Sequence, residues 1–92
     1  MAWNVIPQAP EYEAENKGSI RYAETKIEIP QTLRTDKTRY LWVLLLNSGF
    51  QEWLDVGTAV ASAYYGLPLP GETLNYIDGN TRNNNKNNLE WI

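Results

Sequence analysis

Ninety-two residues, 42% of them apolar and 21% charged, make one domain with a single modest core. With neither cysteine nor histidine in the chain, a disulfide framework, a thiolate metal site and any Ser-His or Cys-His dyad are excluded, which leaves chemistry to carboxylates, Tyr, Lys and Arg. The net charge of −3 is unevenly placed: residues 1–46 balance six acids with six bases, while residues 47–92 set Glu52, Asp55, Glu72, Asp78 and Glu90 against Arg82 and Lys86 alone.

In chain order, Trp3–Ile6 is a short apolar piece stopped by Pro7 and Pro10. Glu11–Glu15 alternates, and Asn16-Lys17-Gly18 supplies a turn. Ser19–Tyr22 and Lys26–Ile29 alternate with period two and predict strands, the second ending at Pro30. Gln31–Thr38 is polar and predicts a loop. Arg39–Leu46 is the strongest strand, a continuous apolar run that predicts cover on both faces. Asn47-Ser48-Gly49 turns it into a returning strand, Phe50–Leu54. Asp55 or Thr58 can cap a helix over Thr58–Tyr65, where Ala59, Ala61 and Ala63 suit close packing on a sheet and Gly66 with Pro68 forbids continuation. Leu74–Ile77 is a last strand, turned by Asp78-Gly79, and Leu89-Glu90-Trp91 returns to the core after an Asn-rich stretch.

Four features could carry chemistry. The asparagines 83, 84, 85, 87 and 88 have a structural reading, as side chains bonded to their own backbone in a turn. Glu72, Asp78 and Glu90 could bind Mg²⁺ or work as an acid–base pair, but no spacing forces them together. Trp3, Trp42, Trp53, Trp91, Phe50 and six tyrosines are a heavy aromatic load. Trp42 and Trp91 are expected in the core. Tyr64 and Tyr65 point about 100° apart on a helix, so one of them exposed beside Leu67 and Leu69 would make an apolar interface patch. Arg34, Lys37 and Arg39 flank Asp36 in what is expected to be a solvated loop. No glycine-rich phosphate loop and no dense basic cluster occurs.

The C-terminal segment resembles the HNH homing endonucleases of phages and introns, of the His-Me finger type. Leu74-Asn75-Tyr76-Ile77-Asp78-Gly79-Asn80, then Asn83-Asn84, then Asn87-Asn88-Leu89-Glu90-Trp91 follow that family's signature with its spacing. Upstream, Trp3, Ile6-Pro7, Tyr12-Glu13, Asn16, Gly18 and Ile20-Arg21 resemble the modular motif that precedes it, and Val56–Tyr64 resembles its helix. The resemblance implies three parts in one domain, 1–92: a modular-motif-like part over 1–25, a hairpin plus helix over 39–65, and a degenerate HNH-like motif over 73–92. In the family a histidine activates water and its neighbour helps to hold a divalent metal. Here the motif positions are Asn75, Tyr76, Asp78 and Asn88, with Tyr76 at the base position and Gly57-Thr58 where the family has His-Arg. A phenol with a pKa near ~10 is a poor base at neutral pH. The family's further metal ligand lies on a helix beyond Leu-Glu-Trp, which the sequence as given is expected to lack.

The expectation is therefore an α+β fold: a small, mostly antiparallel sheet with one short helix and a degenerate ββα-metal end. It is expected to be no enzyme, to use no cofactor or metal, and to have no catalytic residue. It would act by binding a host or phage protein or a small ligand as an inhibitor, of the anti-defence or host-takeover kind. The alternative, which the net charge of −3 disfavours, is a DNA-binding module that no longer cuts, with Arg21, Arg34, Lys37, Arg39, Arg82 and Lys86 as its phosphate contacts. Candidate binding residues are Tyr64, Tyr65, Tyr76, Asn80 and Arg82. A homo-oligomer is expected from the small core and aromatic surface. A cytoplasmic location is expected because the N-terminus lacks a signal-like pattern and Leu41–Leu46 is far short of a membrane span.

Overall fold

The computed structural model describes residues 3–33, 40–47 and 50–92. The basic group Arg34, Lys37 and Arg39, and the turn residues Ser48 and Gly49, lie outside the described residues. Among the described residues there are eight strands, one α-helix and one short 3-10 turn. The strands are β1 (Trp3–Ile6), β2 (Ala9–Glu15), β3 (Ile20–Tyr22), β4 (Thr32–Leu33), β5 (Leu41–Asn47), β6 (Phe50–Asp55), β7 (Leu74–Tyr76) and β8 (Leu89–Trp91). Helix α1 spans Val56–Tyr65, and the 3-10 turn spans Lys86–Asn88.

The α+β class and the antiparallel pairing match the sequence. The single sheet does not: the strands form three antiparallel sheets, β1-β2-β3, β4-β5-β6 and β7-β8. Each is assembled from strands adjacent in sequence. What lies between the sheets is α1, which packs against strands of all three. Its buried face is Val56, Gly57, Ala59, Val60, Ala61 and Ser62, whose small side chains allow close approach. Tyr12, 1% exposed, ties the first sheet to the second: its hydroxyl accepts from Leu46 N at 2.8 Å and donates to Leu46 O at 3.2 Å.

Asp55 caps α1. Its Oδ2 accepts from Thr58 N at 2.9 Å and from Thr58 Oγ1 at 2.8 Å, so the helix starts two residues before the predicted Thr58. Gly66, at φ 81°, ends it, as the sequence implies. Four other expectations are corrected. Lys26–Ile29 forms no strand but only a bridge between Arg21 and Glu28, because Lys26 takes a left-handed φ of 65° that breaks the extended run. Thr32–Leu33, expected in a loop, pairs with Trp42 and Leu41 as β4. The apolar run of β5 is covered on one face only: Val43 and Leu45 are buried, while Leu44 and Leu46 point outward beside Trp53, the cross-strand partner of Leu44. Trp42 and Trp91 are half-buried rather than enclosed. No helix of the described chain is long and apolar enough to cross a membrane.

Candidate functional site

The segment from β7 through β8 is a hairpin with a long, hydrogen-bonded connection. Leu74, Asn75 and Tyr76 pair with Trp91, Glu90 and Leu89. Tight turning at Asp78-Gly79 is allowed because Gly79 takes φ 76°. The Asp78 carboxylate then organises the connection. Its Oδ1 accepts from Asn80 N at 2.7 Å and Asn88 Nδ2 at 2.9 Å, and its Oδ2 accepts from Asn83 Nδ2 at 2.9 Å. Asn88 answers by accepting from Asp78 N at 2.9 Å and donating to Asn83 O at 3.0 Å. Asn80 and Asn85 each accept from the backbone two residues on. The tract is thus a chain of side-chain-closed turns, the structural reading of the asparagines. The Asn83 amide first, then Asn80 N–H and the Asn88 amide, hold the Asp78 carboxyl below the usual range.

Tyr76 points into the core. It is 8% exposed, stacks on Tyr40 with ring centroids 5.7 Å apart, and donates its hydroxyl proton to Asn84 Oδ1 at 2.9 Å. The ring fits because residue 57 has no side chain. A β-carbon there would overlap the Tyr76 hydroxyl and stand 2.8 Å from Leu74 Cδ2. Burial first, then the Asp55 carboxylate and the Tyr40 ring, push this phenol well above the ordinary range. As a surface binding residue Tyr76 is therefore corrected. It faces the core and not a cleft, because the space at Gly57 draws the ring inward.

The other sequence candidates divide into two groups. Asn80 and Arg82 are exposed on the turn after Asp78. Tyr65 is 48% exposed and donates its hydroxyl proton to Lys86 O. Tyr64 is half-buried, with Lys86 Nζ 5.3 Å from its ring centroid, and burial, then the Glu15 carboxylate, raise its phenol. The two tyrosines thus meet at Lys86, which the sequence offers as a phosphate contact of the DNA-binding alternative but not within the candidate binding set. Also outside it was the turn Asn16-Lys17-Gly18, which docks on the same segment. Lys86 N donates to Asn16 O at 2.8 Å, and a β-carbon at Gly18 would stand 3.0 Å from Asn84 Cβ. Gly18 in a turn is visible in the sequence; the docking is not. Asn75 is half-buried and donates to Glu90 Oε1 at 3.1 Å, across the β7-β8 pair.

The resemblance implies a divalent metal, and the donors here do not fit one. Asp78 is the single carboxylate among the motif positions, and both its oxygens already accept N–H groups. Asn88 aims its NH₂ at Asp78 and spends its oxygen on Asp78 N–H. Among the described residues, no three His, Cys, Asp or Glu side chains stand together to hold an ion.

No protein-family model matches this chain, and no curated protein does. Among solved structures it is similar to a chain from a study of DNA binding and cleavage by the HNH homing endonuclease I-HmuI. The TM-score is 0.85 and the identity 24%, over 100% of this chain and 52% of that one. The chain therefore has an HNH endonuclease-like fold, and it spans about half the length of the neighbour it matches.

Proposed function

We propose that the protein is a DNA-binding module on an HNH endonuclease scaffold, one that binds without hydrolysing. One observation carries this reading: the side chain at the motif's base position is a buried phenol whose proton is held on Asn84. Hydrolysis of a phosphodiester needs a group that takes a proton from water near neutral pH. A hydroxyl enclosed in the core and raised above the ordinary phenol range cannot do so. What a scaffold of this kind retains is its surface, and the structural neighbour is a protein that binds DNA.

The test is a pair of assays on the full chain. Fluorescence anisotropy with a duplex at low salt should show binding, and a supercoiled plasmid with Mg²⁺ or Mn²⁺ should stay un-nicked. Nicking that disappears in Tyr76→Phe would overturn the non-hydrolytic reading. Absence of binding at micromolar protein would overturn the DNA reading in favour of a second one.

That second reading is a host or phage protein as the partner, held as an inhibitor holds its target. It is favoured by the outward face of β5 and β6, where Leu44, Leu46 and Trp53 are 39%, 51% and 43% exposed. Three such side chains present on the order of 300 Å² of apolar surface, a typical largest patch for a monomer. A stable interface needs about 800 Å² on each side, so this patch would be the centre of a larger polar contact and not by itself a dimer interface.

A further inference from the structure

The net charge of −3 opposes a phosphate-rich partner, but it is an average over the molecule. The described residues include five cations: Lys17, Arg21, Lys26, Arg82 and Lys86. Arg21 and Lys26 are spent on Glu13, at 2.6 and 3.4 Å, and Arg21 also lies over the Trp3 ring at 3.8 Å. The other three form no ion pair within the described structure. Lys17 and Lys86 flank the joint where the turn Asn16-Lys17-Gly18 docks on Asn84 and Lys86, and Arg82 lies two residues before Asn84 on the same segment. Lys17 and Arg82 are exposed there, and Lys86 is half-exposed.

The joint is stiff. Lys86 is held from three sides: its N–H donates to Asn16 O at 2.8 Å, its carbonyl accepts the Tyr65 hydroxyl, and its ammonium lies over the Tyr64 ring. Gly18 packs against Asn84 with no room for a β-carbon. Arg82 is carried on the turn that Asp78, Asn80, Asn83 and Asn88 fix by hydrogen bonds. Cations presented from a fixed frame lose less freedom on binding than cations on a loose loop.

Two of the acids lie away from this edge. Glu11 and Glu24 line an open depression with Pro10 and Tyr22 at the far end of the β2–β3 hairpin. From Glu11 to the turn that carries Lys17, β2 covers about 13 Å at a strand rise of ~3.3 Å per residue. That is more than one Debye length at physiological salt, about 8 Å, so those charges are partly screened from the Lys17 end. The acids near the joint are Glu15, which is 5% exposed, and Asp78, whose exposed carboxylate accepts three N–H groups and keeps its charge, so the three cations face these two anions and retain a positive surplus.

Resting on the DNA-binding reading above, we infer that Lys17, Arg82 and Lys86 form the edge that contacts the phosphate backbone of duplex DNA. Backbone contacts of this kind position a protein on the duplex and set its salt dependence, and they carry no sequence information themselves.

The test is the salt dependence of binding to a mixed-sequence duplex, measured by anisotropy with the full chain. Four forms are compared: wild type, the triple variant Lys17→Gln/Arg82→Gln/Lys86→Gln, Lys17→Gln alone, and Lys26→Gln as a control at the ion pair with Glu13. The slope of log K against log[salt] should become shallower by roughly 0.9 for each cation removed, close to three for the set. The control should follow wild type. Lys17→Gln alone, at an exposed position with no side-chain partner among the described residues, should remove about one third of the effect, which covers the case of a triple variant that folds poorly. A wild type that binds while the folded triple variant keeps its slope and Kd would overturn this edge and leave the DNA reading standing. A wild type that binds no duplex would overturn both.

Discussion

Gly57 sits in the first turn of α1, where alanine would ordinarily gain up to about 1 kcal/mol over glycine. Here the β-carbon has nowhere to go. Its place is taken by the Tyr76 hydroxyl, and Leu74 Cδ2 and Tyr76 Cζ would stand within 2.9 Å. The ring cannot swing away, because it is buried and stacked on Tyr40. Overpacking of a core costs about 1–3 kcal/mol and outweighs the helix gain. Gly57→Ala should therefore lower the Tm by several degrees in a domain of this size. In a Tyr76→Phe background, which removes the atom that overlaps most, the same change should cost less. Equal losses in both backgrounds would show that the two positions are not coupled. This pair also marks where the sequence stopped being informative. The resemblance puts Tyr76 where the family has a base and Gly57-Thr58 where it has another pair, but it does not say that residues 57 and 76 share one volume. That fact lies in the packing of α1 on β7.

At the level of elements, α1 was legible because its signals are local. Asp55 closes the first turn through Thr58, and Gly66 ends the last by donating to Ser62 O. Asp55→Ala should cost about 1 kcal/mol, within the usual cap range of 0.5–2, while Asp55→Asn should keep most of the cap. Urea unfolding midpoints of the two variants check this; an alanine variant as stable as the asparagine one would remove the cap from the account. The hairpin β5–β6 was legible for the same reason, in the apolar run and the returning strand that pairs with it. What could not be seen is non-local. Leu44 and Leu46 have the composition of buried residues, and only the position of the helix decides that Val43 and Leu45 take the inside. Nothing in Thr32–Leu33 signals pairing with β5, and nothing in Asn16-Lys17-Gly18 signals its docking on Asn84 and Lys86. The asparagine tract is intermediate: the turn chemistry was legible residue by residue, but not its convergence on Asp78.

For the whole molecule, the absence of histidine makes pH a clean probe. No side chain with an ordinary pKa titrates between about 5 and 9, so stability should be level across that window. The acid limb follows from Glu13 and Asp78. Burial acts to raise Glu13, but the hydrogen bond from Arg21 and the charges of Lys26 and Arg21 outweigh it and leave the carboxyl below its ordinary range. Asp78 is lowered by its amide donors. A carboxylate depressed in the fold binds fewer protons there than in the unfolded chain. Its contribution is present above the unfolded value near ~4 and is lost as the pH falls below it. The alkaline limb follows from Tyr76, raised by burial and the nearby Asp55, and from Tyr12 and Tyr64, raised first by burial. A phenol raised in the fold keeps its proton longer than in the unfolded chain, so its contribution is present below about 10 and is lost as the pH climbs past it. Thermal melts across the pH range should show a plateau with a fall on each side. Glu13→Gln should flatten the acid fall, and Tyr76→Phe the alkaline one. Asp78→Asn should have the smaller acid effect, since its carboxylate is exposed and screened. A step in Tm between about pH 6 and 8 would mean that some group is perturbed into that window by contacts this arrangement does not contain.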